Sequence, residues 1–166
     1  MPLNSNVAAT LSIDLTGSAG VGGAVPYFSK PKASDVVLSD GSGNNQANKV
    51  FSSTRTVLTA ANDDLDLAGV LTDPFGAVLT FSTIKVILLR ADPTNTTILT
   101  VSPGPTNGFV GPFGASTHTV ALRPGGVVMF AAPQTGFTVT AGTGDILRVA
   151  NAAGASAIYT VEILGT

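Results

Sequence analysis

Three carboxylates, Asp63, Asp64 and Asp66, stand together in a chain with ten acidic residues in all. In an extended segment Asp64 and Asp66 share one face, while Leu65 and Leu67 take the other. Two carboxylates on one face could hold a divalent cation, or act as general acid and base in cleaving a glycosidic bond. No D-x-D-x-D-G loop follows, and the single glutamate, Glu162, lies near the C-terminus. The cluster therefore reads as a solvated or edge-strand feature, in which charge discourages aberrant strand pairing.

The other reactive residue types are as sparse. His118 is the only histidine, so one chain cannot assemble a two-histidine metal site. At period two with Val120 and Leu122 it reads as an ordinary strand residue with a satisfied ring nitrogen. Gly114-Ala-Ser116-Thr-His118 and Gly41-Ser42-Gly43 both lack the G-x-S-x-G turn that would activate a serine. The Gly17–Gly23 stretch has neither the Gly-Lys-Ser/Thr ending nor the following helix of a phosphate cradle, so it reads as a linker. Asn95-Thr96-Thr97 has the glycosylation acceptor pattern without a secretory signal, and is taken as chance. Phe109 and Phe113, in a Pro/Gly-rich loop, are the best candidates for exposed aromatics that could contact a glycan or receptor. No catalytic, cofactor-binding or metal-binding residue is expected, and no cofactor.

Composition points the same way. Charged residues make up 11% of the 166, eight basic against ten acidic, and 44% are hydrophobic. That balance describes a folded chain and not a solvated tail. Arg55, Arg90, Arg123 and Arg148 are dispersed, which argues against nucleic acid as a partner. Without cysteine, neither a disulfide framework nor a thiolate metal site can hold the domain together. No apolar run approaches the ~18–20 residues that span a bilayer, and the first ten residues lack a secretory signal. The expectation is a soluble product made in the cytoplasm, with no membrane partner.

The elements that must position these residues are strands. Thr, Val, Gly and Ala dominate, while Glu and Gln are nearly absent, which favours strands and turns over helices. Leu11, Ile13 and Leu15 alternate with Ser12 and Asp14, an isolated strand signal over 7–15. Gly-rich stretches, Pro26, Pro31 and the run from Asp40 to Asn48 surround it, so residues 1–50 read as a flexible N-terminal arm that orders on a partner. Residues 51–166 read as one β-sandwich domain. Strands are predicted near 55–60, 63–68, 78–81, 84–90, 96–101, 117–122, 127–131, 137–140, 146–151 and 157–164. Arg123-Pro124-Gly125-Gly126 is predicted to be a type II turn between antiparallel strands. The fold class expected is all-β, an antiparallel two-sheet sandwich of jelly-roll type with an extended N-terminal arm.

Asp64-Leu-Asp-Leu-Ala-Gly69-Val-Leu-Thr-Asp73-Pro-Phe-Gly76, continuing through Phe81-Ser-Thr-Ile84-Lys-Val-Ile87, resembles small structural proteins of tailed bacteriophages. Arg123-Pro-Gly-Gly126, the stretch Ala141 to Asn151 and the closing Tyr159-Thr-Val-Glu-Ile-Leu-Gly165 are similar to that group too. The resemblance covers about Val50 to Thr166. It implies a virion protein of the head decoration or cement type, bound as a homotrimer to the major capsid protein, with no catalytic residues. The competing expectation is a phage tail or surface module that recognises host glycan or receptor through the Phe109/Phe113 loop.

Overall fold

Residues 157–165 bury Ala157, Tyr159, Val161 and Ile163 and expose Ile158, Thr160 and Glu162, the period-two pattern of a strand with one face on a core. A computed structural model describes residues 2–19, 23–152 and 154–166, with the backbone alone over 10–19 and 23–35. In it the strands run in chain order as β1 (Ser5–Ala19), β2 (Gly23–Leu38), β3 (Lys49–Val57), β4 (Ala61–Asp66), β5 (Thr83–Ala91) and β6 (Leu99–Pro103). There follow β7 (Val120–Leu122), β8 (Val127–Ala131), β9 (Phe137–Thr138), β10 (Ile146–Asn151) and β11 (Ala157–Gly165). The described residues contain no helix.

One sheet has the order β3-β11-β5-β8, with β9 also on β5, and a second has the order β4-β10-β6-β7. The antiparallel pairings nest: β3 with β11, β4 with β10, β5 with β8, β6 with β7. Successive nested pairs alternate between the sheets, as in a long hairpin rolled upon itself. That winding is a jelly roll, and the chain is an all-β sandwich. Phe51, Ile87, Leu89, Val161 and Ile163 of the first sheet face Leu65, Leu99, Val101, Leu147 and Val149 of the second, all at or near zero exposure. Each such side chain contributes roughly 1.5–3 kcal/mol on burial, the main favourable term in a chain with no cysteine to cross-link it.

Residues expected as an arm contain a separate two-stranded antiparallel sheet. β1 pairs with β2 from Ser5↔Leu38 to Ala19↔Gly23, with an irregularity where Pro31 lies, between Lys32 and Ser29. Proline supplies no N–H to a ladder, so a bulge is where a strand tolerates it. The foot of this ribbon is anchored: Leu38 and Ala47 pack with Val86 in a second small cluster that Leu3, Val7 and Leu164 flank.

The structure corrects three local expectations. Residues 78–81 form no strand; Val78 instead bridges Thr72 in a small hairpin whose tip is Asp73-Pro-Phe-Gly76. Asp73 Oδ1 accepts from the N–H groups of Phe75 and Ala77, and Gly76 takes φ +88°, so local turn chemistry overrides the apolar run. Of 117–122 only Val120–Leu122 is strand. Arg123–Gly126 is the predicted type II turn, with Gly125 at φ +69° and Gly126 N–H donating to the Arg123 carbonyl at 2.7 Å. It joins β7 to β8, however, which belong to different sheets, because the roll crosses over at this point.

Candidate functional site

The acidic cluster splits by strand parity. β4 is the edge strand of its sheet, with Leu65 facing inward, and Asp63 has the same parity as Leu65. β3 is the edge strand of the other sheet, and Arg55 shares parity there with buried Phe51 and Val57. The short turn at 58–60 brings the two edges together. Arg55 donates through Nε and Nη2 to the two carboxylate oxygens of Asp63, the Nη2 to Oδ1 distance being 2.7 Å. The hydroxyl of fully buried Tyr159 donates to Asp63 Oδ2 at 2.8 Å.

Burial acts to raise the Asp63 pKa, but the Arg55 guanidinium and the Tyr159 hydroxyl outweigh it and hold the carboxyl below its ordinary range. Burial, and then the neighbouring carboxylate, push the Tyr159 phenol well above its ordinary value. The three groups form a clasp across the open side of the sandwich. Charge turned inward on both edge strands also discourages a foreign strand from joining there.

Asp64 and Asp66 sit on the outer face, as the alternation predicts, but they do not act as a pair. Arg148 of β10 binds Asp64 through both oxygens at 2.7 Å. Asp66 Oδ1 accepts from Ala68 N–H at 2.9 Å and closes the turn after β4. Each carboxylate has its own structural partner. Among the described residues no group of His, Asp and Glu side chains is placed to hold a metal ion.

His118 lies in an exposed loop before β7, where its Nδ1–H donates to the Phe113 carbonyl at 2.7 Å. Ser116 beside it is exposed, and among the described residues no carboxylate is hydrogen-bonded to it. The Gly17–Gly23 stretch spans residues 20–22, which lie outside the described residues.

The aromatic expectation is overturned. Phe109 is 1% exposed and Phe113 9%. Their rings meet Phe137 and Phe130 edge to face, at centroid distances of 6.5 and 5.3 Å. The loop that carries them folds back as a plug on the core, so Phe109 and Phe113 offer nothing to a glycan or receptor. Among the described residues the exposed phenylalanine is Phe75, 76% exposed at the tip of the small hairpin.

Asn95 has a structural duty that sequence reasoning missed. Its side-chain amide donates to the Ile158 carbonyl at 2.7 Å and accepts the Ile158 N–H at 2.8 Å, completing the ladder beside β11 as a strand residue would. Asn95→Ala removes both bonds and is expected to cost about 1–2 kcal/mol. Asn95→Asp keeps the acceptor and loses the donor, so urea denaturation should place it between Asn95→Ala and the natural chain.

No family model matches the sequence. No curated protein matches it either. Among solved structures, a chain from Bacillus endospore appendages, described as a novel family of disulfide-linked pili, is similar over 76% of this chain and 96% of its own, at 14% identity and TM-score 0.35. A chain of the unassembled Washington University Polyomavirus VP1 pentamer is similar over 98% of this chain and 95% of its own, at 11% identity and TM-score 0.14. Neither similarity bears on what the chain does, and the jelly-roll assignment rests on the strand pairing.

Proposed function

We propose that the chain is a non-catalytic structural subunit of a bacteriophage particle, a jelly-roll body tied to its neighbours in the head lattice by the N-terminal ribbon. The observation that carries this is the ribbon itself. Strands of 15 and 16 residues extend to roughly 50 Å, against roughly 30 Å for the nine-residue strands of the body. Among the described residues the ribbon's two strands pair only with each other. A two-stranded hairpin of this kind is marginal in water by itself, so a surface supplied by another subunit stabilises it. The reading is supported further by the engagement of Asp63, Asp64 and Asp66 in structural bonds. The major capsid protein is the proposed partner and a homotrimer the proposed state, with the capsid surface as the location.

Replacing residues 9–34 by Asn-Gly keeps the foot, where Ala8 pairs with Asp35, and closes it with a two-residue hairpin turn. Light scattering should give a mass in multiples of three subunits for the full chain and not for the shortened one, with the melting transition of the body retained. Equal masses would remove the tether. Immunogold labelling of phage particles from the cell that encodes the chain should mark heads; label confined to tails would overturn the location.

A further inference from the structure

A sandwich of two sheets has four edge strands, and three of them are guarded here. β3 and β4 carry the inward charges Arg55 and Asp63, and β7 is three residues long. β8 carries none of these devices between Val127 and Ala131, and the loop at 39–48 meets this edge beyond that span, where the Pro133 carbonyl accepts from Asn45 N–H at 2.9 Å. From Val127 to Ala132 the sequence is Val-Val-Met-Phe-Ala-Ala, without charge, proline or glycine, and every residue is exposed or half-buried. Val127 is 54% exposed and Met129 37%.

The backbone shows what this edge lacks. Gly126 accepts from Ala91 N–H, and Ala132 N–H donates to the Lys85 carbonyl. In an antiparallel ladder such groups alternate, so Val128 and Phe130 also turn toward β5, while the N–H and C=O groups of Val127, Met129 and Ala131 turn away. Among the described residues β8 pairs with β5 and no other strand. An uncharged, unprotected row of free donors and acceptors is a template for another strand.

We infer that β8 pairs with β8 of a second copy of this chain, antiparallel about a two-fold axis at Met129, joining two β3-β11-β5-β8 sheets into one. The second copy is the fitting occupant because an antiparallel pair of identical strands is self-complementary. With Met129 opposite itself, Val127 faces Ala131, and every outward N–H and C=O on both copies finds a partner. No charges oppose one another anywhere along the pair. Met129 lines a cavity together with Asn6, Val7 and Ala8 at the foot of the ribbon, a segment that the shortened-ribbon chain retains.

The chain has no cysteine, so a single introduced thiol reports the geometry directly. Facing hydrogen-bonded residues place their Cα atoms about 5.5 Å apart, inside the ~4.4–6.8 Å that a disulfide spans. Full-length Met129→Cys is expected to form a covalent dimer under mild oxidation, while Phe75→Cys, at a more exposed tip, is not. Met129→Pro removes only an outward N–H, and Met129→Lys sets like charges face to face. Both should abolish the β8 pairing in sedimentation velocity while melting within a few degrees of the natural chain. In the shortened-ribbon chain the pairing should persist, which separates this contact from the proposed tether. Failure of Met129→Cys to cross-link above the Phe75→Cys level, or unchanged association of Met129→Lys, would overturn the assignment.

Discussion

Asp63→Ala should lower the stability of the domain by about 2–3 kcal/mol, with a melting temperature lower by roughly 5–10 °C. The substitution strands two groups at once: the Arg55 guanidinium loses its carboxylate, and the buried Tyr159 hydroxyl loses its acceptor. A fully buried pair broken in this way costs about 3–5 kcal/mol; the smaller figure reflects that the Arg55 side chain keeps 33% of its surface in solvent. The cost should come from the orphaned partners and not from the lost carboxylate as such. Combining Asp63→Leu with Arg55→Leu and Tyr159→Phe is therefore expected to recover most of the stability. The same triple variant strips both edges of inward charge, so it should associate more readily than the natural chain.

The clasp also fixes the sign of the acid response. Asp63 titrates below its unfolded value, so its contribution is fully present above about pH 4 and is lost as pH falls through the lower, folded pKa. Denaturation midpoints measured from pH 6 down to pH 2 should fall more steeply for the natural chain than for Asp63→Ala. Parallel curves would show that the clasp contributes nothing to acid lability.

Strand parity made much of this site readable. Asp63 shares parity with Leu65, Arg55 with Val57, and Tyr159 with Val161, so the sequence alone places two charges and a phenol on inward positions. That they meet depends on which strands form the edges, and no local pattern encodes sheet order. β8 and β10 coincide with their predicted spans, because apolar runs bounded by Pro and Gly mark both ends. β2 was not legible: Pro26 and Pro31 interrupt it, and a ribbon outside the sandwich has no core to impose alternation on its residues. Phe109 and Phe113 misled because glycine and proline around them suggest an open loop, whereas here those residues let the chain fold tightly enough to seat both rings. Gly104 and Gly108, for example, pack so closely that a Cβ on Gly108 would lie 2.4 Å from the Gly104 carbonyl oxygen.

Gly165→Ala is expected to be among the most damaging single-methyl additions, costing about 3 kcal/mol or more. Gly165 ends β11 at a bulge, where the partner of Leu164 is Val86 and that of Gly165 is Ile84. A Cβ there would lie 2.3 Å from the Thr83 carbonyl oxygen and 2.8 Å from the ring of Phe81. Neither neighbour can yield cheaply: Thr83 O accepts the Thr166 N–H, and Phe81 is 2% exposed in the core. Gly142→Ala separates this cause from backbone strain, since Gly142 has φ +74° but nothing within 4 Å of an added Cβ. That substitution should cost only the ~1 kcal/mol of a left-handed alanine. Urea midpoints of the two variants, taken at equal slope, should therefore differ by about 2 kcal/mol or more. Equal midpoints would mean that β11 shifts to admit the methyl group, and that the bulge is less firmly held than its contacts require.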